Sequence, residues 1–339
     1  MRLFFAIAAA FIALTGESAS AQDHSRIYDK AALSADAERY KLRVTQIYEL
    51  GVEPFLTDAE KQRIGEVELV FPMPEEGDYV LDFYAYEENG RGVVALPVLS
   101  LKALEDLTTA YAWIYSNNYS LSTIDLYFAM LQHRPESGFA GGRYPPPLAA
   151  LGVPADAYKF PPVDQLSLSL RNEAYAFALI HEIGHLFHDH PDFFDVSAEE
   201  AQADEVEADA FALEVLSRTG TPPLGPTLFF QAQAYSLPNQ GQFETEAAWL
   251  KYLAERANHP ITTDRLRAMG AYLRQTLADK RGDERDIWAF IGTRMDDIAE
   301  VLDDVDLQTC IATLAKKADL DLLTPRADVA GDAIAANCG

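Results

Sequence analysis

The sequence predicts an α+β fold that is mainly helical, with a small antiparallel sheet near the N-terminus and a helical C-terminal region. Apolar residues recur at helical spacing through most of the chain beyond residue 100, whereas shorter alternating runs lie between residues 66 and 99. Hydrophobic residues make up 49% of the 339 residues and charged residues 24%, which is typical of a globular protein and excludes a disordered one.

The first residues have the pattern of an export signal. Arg2 precedes an apolar run over residues 3–14, and Ala19-Ser20-Ala21 provides the small residues of a cleavage site. Cleavage near Ala21 would release the mature protein into the periplasm or the extracellular medium. An uncleaved signal that anchors the chain is the alternative. Because no segment reaches about 18 uninterrupted apolar residues, we expect no stable membrane insertion.

The individual elements follow in order along the chain. A helix is expected over residues 29–50, and strands over 66–71, 79–87 and 92–99. Asn89-Gly90 between the last two strands is a hairpin signal. The remaining helices are expected over residues 101–115, 122–132, 166–189, 198–218, 227–236, 243–257, 262–279 and 285–303, with a connector rich in glycine and proline over 138–162.

The chain length and these elements predict four segments. Residues 1–21 form the signal peptide, and residues 22–165 form an N-terminal α+β region. Residues 166–280 form a core that carries the chemistry, and residues 281–339 form a helical tail. Cys310 and Cys338 lie in that tail, and an even cysteine count in an exported chain predicts a disulfide, with two free thiols as the alternative.

The most informative motif lies on the helix predicted over 166–189. It is His181-Glu182-Ile183-Gly184-His185, in which the two histidines are four residues apart and therefore share one helix face. Both imidazoles can then bind one zinc ion, while Glu182 faces a water on that ion. Composition alone would produce this pattern in about one random chain per hundred, so the motif needs support from elsewhere in the chain.

That support comes twenty residues later, on the helix predicted over 198–218. If this helix returns antiparallel, Glu205 can supply a carboxylate as the third ligand, with Glu207 as its rival. Asp209, one turn further, can accept the free ring N–H of a ligand histidine. Two imidazoles and one carboxylate leave a coordination position open, as in catalytic zinc sites. We assign the remaining acidic residues of this helix, Glu199, Glu200 and Asp204, to a solvated face, and His188 and His190 to an ordinary helix end.

These segments resemble the gluzincin metallopeptidases, and in particular the family of CAAX prenyl endopeptidases, heat-shock membrane peptidases and their soluble periplasmic relatives. The resemblance is carried by residues 178–186, by residues 205–212 and by a His-Pro loop at Asn258-His259-Pro260. It implies a zincin-like catalytic core with one zinc ion bound by His181, His185 and Glu205. It also implies that Glu182 is the catalytic base, and that His259 and Arg265 lie near the metal. The substrate-aligning strand of the family has a faint counterpart at residues 137–142.

We therefore expect an exported zinc-dependent endopeptidase that hydrolyses peptide bonds through a zinc-bound water, with Glu182 as general base. His259 is expected to stabilise the oxyanion with Arg265 orienting it, although it could instead be an inhibitory fourth metal ligand or merely start a helix. The formal net charge of -26 excludes nucleic acid as a partner, since phosphates would be repelled. The partners are a protein or peptide substrate and an envelope protein bound through the N-terminal or C-terminal region.

Two alternatives to an endopeptidase remain. An aminopeptidase-like gluzincin would need a site for a free amino terminus, and no such motif is evident in the sequence. A non-catalytic or latent zinc-containing envelope binding protein would use the long N-terminal region and the tail as binding surfaces. A cytosolic regulatory metalloprotein has a similar second helix, but the export signal argues against it.

Overall fold

The computed structural model describes residues 23–191, 196–236, 243–249, 252, 259, 261–276, 280, 282–324 and 333–338. The predicted signal peptide lies outside the described residues, as do Asn258, Pro260 and residues 250, 251 and 253–257 of the helix predicted over 243–257. Within the described part of the chain, no helix is both long enough and apolar enough to span a membrane.

Helices dominate the structure, as the sequence predicts, and a three-stranded sheet is the main β element. Within the described residues, the α-helices include α1 (Lys30–Gln46), α2 (Asp58–Ile64), α3 (Val98–Ser116), α4 (Ser122–His133), α5 (Pro147–Ala150), α6 (Pro161–His188), α7 (Ala198–Thr219), α8 (Leu224–Ser236), α9 (Thr263–Thr276), α10 (Gly282–Asp303), α11 (Val305–Lys317) and α12 (Ala333–Cys338). A π-helical turn, Ile47–Val52, continues α1 and accounts for the end of the helix predicted over 29–50.

The sheet is mixed rather than wholly antiparallel. Its strands are β1 (Val67–Val70), β2 (Tyr84–Glu88) and β3 (Arg91–Ala95), in the order β1-β3-β2. β2 and β3 form the predicted hairpin, whose Asn89 and Gly90 both have positive φ angles of 55° and 77°. β1 pairs in parallel with β3, because the long connection between β1 and β2 carries the chain past β3 to its far side. The first part of the strand predicted over 79–87 is a loop, in which Leu81 has a φ of 62°.

Helix α6 is the central element, since it packs against α3, α7, α8 and the sheet. Its partner α7 begins with a capping box at Ser197 and Glu200 and ends at Gly220 in the left-handed conformation. The two helices approach closely at the small residues that the sequence places there. A Cβ atom on Gly184 would lie 3.0 Å from Cα and 3.1 Å from the carbonyl oxygen of Ala208. This contact fixes the distance between the two helices that carry the motif residues.

The C-terminal region is helical, as predicted, and is joined to the rest of the molecule by packing and by one disulfide. α11 packs on α4, and α9 packs on both α7 and α10. Cys310 on α11 and Cys338 on α12 form the predicted disulfide. The buried apolar core runs continuously from α1 through α3, α4 and α6 to the C-terminal helices.

Candidate metal centre

Helix α6 positions the motif residues at its buried C-terminal half. His181 and Glu182 are almost fully buried, while the His185 side chain is 17% exposed. The spacing of four residues places the two rings on one face, where their Nε2 atoms lie 3.2 Å apart. Glu205 on α7 faces the same point, as the antiparallel return of that helix predicts. Its two carboxylate oxygens lie 3.4 Å from Nε2 of His181 and 3.4 Å from Nε2 of His185.

These separations fit a tetrahedral zinc ion. Zinc lies about 2.0–2.1 Å from histidine nitrogen and carboxylate oxygen, so neighbouring ligand atoms of a tetrahedron are about 3.3–3.4 Å apart. The two Nε2 atoms lie 3.2 Å apart, and each lies 3.4 Å from one oxygen of the Glu205 carboxylate, which is Oε2 for His181 and Oε1 for His185. Two histidine nitrogens and a carboxylate oxygen are also the donor types that zinc prefers. The residues present therefore fit a zinc ion.

Asp209 and Arg265 contact the donor residues His181 and Glu205 on the side away from the point where the donor atoms converge. Oδ1 of Asp209 lies 2.9 Å from Nδ1 of His181, and because an ionised carboxylate can only accept, Nδ1 carries the proton and Nε2 keeps its lone pair for the donor cluster. Arg265 donates two hydrogen bonds to Asp209, of 2.6 and 2.9 Å, and contacts Glu205 at 2.6 Å. These bonds hold the two carboxylates, and the expected orientation of His259 by Arg265 stays a prediction.

The charges around the cluster favour a cation. Burial alone would raise the pKa of Glu205, but His259, Arg265 and His181 hold that pKa well below its ordinary value. Burial alone would likewise lower the pKa of His181, but Glu205 and Asp209 raise it to about 9. A buried group of carboxylates thus draws positive charge to the point where the donor atoms converge, either as a proton or as a metal ion.

His259 is the fourth member of the cluster. Its Nδ1 lies 2.8 Å from Oε1 of Glu205 and 3.5 Å from Nε2 of His181. Its Nε2 donates a 2.6 Å hydrogen bond to the carbonyl oxygen of Phe83, so in the neutral ring the lone pair on Nδ1 faces the other donors. His181, His185, Glu205 and His259 each offer a ligand atom within 4.8 Å of the others.

Glu182 lies beside the cluster without being one of its four possible ligands. Its carboxylate is buried, and its Oε2 has no hydrogen-bond partner within the described residues. A buried carboxylate oxygen without a partner is costly and is usually retained for function. Its Oε1 lies 3.5 Å from Nε2 of His259, and the side chain faces a cavity beside the cluster.

That cavity is apolar apart from the site residues. Its apolar walls are Leu81, Phe83, Ala174, Phe177, Ala178 and Phe229. Ala174, Phe177 and Ala178 lie on the face of α6 that precedes the motif, so the helix supplies both the motif and one wall of the cavity. Sequence reasoning missed Phe83 and Phe229, because only the tertiary fold brings them to this helix.

The other predicted residues lie as follows. The Ser137–Gly142 segment forms 3-10 turns rather than a strand, so it does not provide the edge strand expected beside the active-site helix. The edge strand that contacts α6 is β2. Glu207, the rival of Glu205, points away from the cluster and lies 3.3 Å from Nδ1 of His188.

The comparison with protein families identifies the same region. Residues 162–281 match the family described as Peptidase U49, and this segment contains His181, His185, Glu205 and His259. The match indicates a peptidase. Comparison with curated proteins and with solved structures gives no match. The matched family is not the family of CAAX prenyl endopeptidases, so the coarser prediction, a peptidase, is confirmed, and the narrower resemblance stays a prediction.

Proposed function

We propose that the protein is an exported zinc-dependent endopeptidase of the gluzincin type. The observation that carries the proposal is the set of donor separations among His181, His185 and Glu205, which fit one tetrahedral ion. The peptidase match over residues 162–281 supports the reaction class. The export signal in residues 1–21 supports a location in the periplasm or outside the cell.

The residues around the proposed ion can divide the work of peptide hydrolysis. A bound zinc ion would supply Lewis-acid chemistry, by polarising the peptide carbonyl and acidifying water. Glu182 takes a proton from the attacking water and delivers it to the leaving amine, since its Oε2 is free and faces the cavity. Asp209 fixes the tautomer of His181, and Arg265 keeps Asp209 and Glu205 ionised.

The surroundings of the site suit an extended peptide with an apolar side chain. β2 is an edge strand next to α6, so one side of its backbone has no strand neighbour among the described residues and can pair with a peptide. The apolar cavity beside Glu182 would take the side chain next to the cleaved bond. We therefore expect cleavage sites in a protein substrate to be enriched in Leu, Phe or Met.

Replacing Glu182 with Gln tests the reaction. The Gln side chain keeps the size of Glu182 but cannot accept the proton, so we expect casein cleavage to fall by at least about 100-fold while one zinc per chain is retained. Glu199→Gln, an exposed residue of α7 away from the cluster, is the matched control and should leave both quantities unchanged. Full cleavage by the Glu182 variant, or loss of its zinc, would refute the role of Glu182.

A latent or non-catalytic zinc protein is the second candidate, and one observation favours it. Nδ1 of His259 lies among the donor atoms at the place of a fourth ligand, where a water would otherwise bind. In a latent enzyme His259→Ala would raise cleavage above a low wild-type level. In an open enzyme that uses His259 to stabilise the oxyanion, the same substitution would lower cleavage.

A further inference from the structure

We propose that His190 is a positioning residue of the metal centre, which holds His185 in the tautomer that binds the ion. The proposal rests on the proposed zinc site, and its starting observation is a hydrogen bond. Nδ1 of His190 lies 2.9 Å from Nδ1 of His185, and the two rings are inclined by 70°. His190 is one of the residues that the sequence assigned to an ordinary helix end.

The tautomers of the two rings follow from the contacts of His185. Its Nε2 faces the donor cluster, 3.2 Å from His181 and 3.4 Å from Glu205. If Nε2 binds the ion, the proton of the neutral ring is on Nδ1, which must donate. His190 then accepts with its Nδ1 and carries its own proton on Nε2.

The far side of His190 faces acceptors that suit this arrangement. Its Nε2 lies 3.4 Å from Oε2 of Glu207 and 3.6 Å from Oδ1 of Asp204, both on α7. The chain of contacts therefore runs from the cluster through His185 and His190 to two carboxylates. Asp204, which the sequence placed on a solvated acidic face, takes part in this chain.

The turn after α6 builds the contact. Asp189 ends the helix in the left-handed conformation, with a φ of 56°, which aspartate tolerates better than most residues. The backbone N–H of His190 donates a 3.0 Å hydrogen bond to the carbonyl oxygen of His185. Arg63 holds the turn from outside, through a 2.9 Å salt bridge to Asp189 and a hydrogen bond to the carbonyl of Phe187. The His190 side chain is consequently only 7% exposed.

A second metal ion is the competing explanation of the same side chains. Nδ1 of His188, Nε2 of His190 and Oε2 of Glu207 lie within 4.8 Å of one another. A metal on Nε2 of His190 would move the ring proton to Nδ1, where it would face the N–H of His185 at 2.9 Å. Two N–H groups would then face each other, so the hydrogen bond from His185 to His190 and a metal on Nε2 of His190 exclude one another. The geometry favours the hydrogen bond, because it is short and sheltered while the Glu207 side chain is 57% exposed.

Three substitutions separate the two explanations. His190→Leu removes both ring nitrogens. His190→Asn keeps an acceptor oxygen near the position of Nδ1 but has no atom at the position of Nε2, so it preserves the bond to His185 and removes the second cluster. His188→Ala removes the second cluster alone. Zinc affinity is measured on the purified mature protein by competition with a chelator, with zinc content per chain and the absorption spectrum of the cobalt form as further readouts.

We expect one zinc per chain in the wild type and a 10–100-fold loss of zinc affinity in His190→Leu, the usual effect of removing the partner of a ligand histidine. The affinities of His190→Asn and His188→Ala should stay within about 3-fold of the wild type, and the cobalt spectrum should change only in His190→Leu. The rescue by Asn also separates loss of the hydrogen bond from general misfolding.

Two results would overturn the proposal while leaving the zinc peptidase intact. One is a His190→Leu variant with wild-type zinc affinity. The other is a wild type that binds two zinc ions, of which His190→Asn and His188→Ala each lose one. A wild type that binds no zinc at all would refute the proposed function itself, and the role of His190 with it.

Discussion

The two motif histidines of α6, which we propose as zinc ligands, are held by different kinds of contact. His181 is held by Asp209, which is buried and carries two hydrogen bonds from the buried Arg265. His185 is held by His190, whose other ring nitrogen faces carboxylates that are partly or largely exposed. One support is therefore an ionic contact in the core, while the other is a second imidazole that reaches the surface. In the proposed zinc site, the contact between Asp209 and His181 would couple metal binding to the stability of the fold. The contact between His190 and His185 would instead make metal binding depend on groups near the solvent.

The largest effect that separates the two supports is expected from Arg265→Met. Removing this guanidinium leaves Asp209 and Glu205 as buried carboxylates with too little positive charge, which costs about 3–5 kcal/mol of unfolding free energy. Urea unfolding of the metal-free protein measures it. The control is Arg267→Met on the same helix, an exposed residue paired with Asp303, which should cost less than about 1 kcal/mol. Equal costs for the two variants would contradict a core role for Arg265.

The pH dependence of the metal-free protein is the next largest effect. The folded-state pKa of His181 is raised from 6.5 to about 9, so its contribution is fully present below pH 6.5 and is lost as the pH rises through 9. The pKa of His185 is lowered, chiefly by burial, so its contribution has the opposite sign and is lost on acidification. Burial would lower the pKa of His259, but Glu205 and Glu182 raise it to about 10, so His259 contributes with the same sign as His181. We expect the unfolding free energy to fall by at least about 3 kcal/mol from pH 6.5 to above 10 in a chelator. Saturating zinc should remove that fall, because the ion replaces the proton on His181.

A smaller effect is expected when aspartate is replaced by asparagine at Asp209, which contacts His181, and at Asp204, which contacts His190. Asp209→Asn removes the charge that holds His181, and we expect zinc affinity to fall 10–100-fold. Asp204→Asn on the same helix lies two contacts from the ion, keeps an acceptor oxygen and is partly exposed, so its affinity should change by less than about 3-fold. Chelator competition measures both. If Asp204→Asn lowered the zinc affinity as much as Asp209→Asn does, the contacts of His190 near the surface would matter as much as the buried contact of Asp209.

The sequence predicted those parts of the site that depend on helix periodicity. The four-residue step from His181 to His185 and the return of a second helix with Glu205 and Asp209 follow from local geometry, and the structure brings these four residues together. The contacts of Arg265 with the two carboxylates were not predicted. Its position near the metal was expected, but its bonds to Asp209 and Glu205 depend on how α9 packs against α7, and no local spacing encodes that packing.

The fold, like the site, was predicted where it depends on local sequence signals. The helices and the hairpin at Asn89-Gly90 carry their own sequence signals, so they could be assigned before the structure. The parallel pairing of β1 with β3 could not, because alternation of apolar residues gives no strand direction. The contact of His259 with the Phe83 carbonyl could not be predicted either, because every residue has a backbone oxygen and the sequence does not show which one will accept the hydrogen bond.

The close approach of Gly184 to Ala208 has a consequence for how such a site can vary. An extra methyl group at Gly184 would have to push α7 away by a few tenths of an ångström. Metal–ligand distances tolerate only about 0.2 Å, while the apolar cavity beside Glu182 is built from side chains that do not lie on this contact. The packing of α6 on α7 therefore sets the distances among His181, His185 and Glu205. In the proposed zinc site, we expect the affinity for zinc to depend on how closely α6 packs against α7. The contact that sets this distance joins Gly184 to Ala208, and neither residue is a proposed ligand.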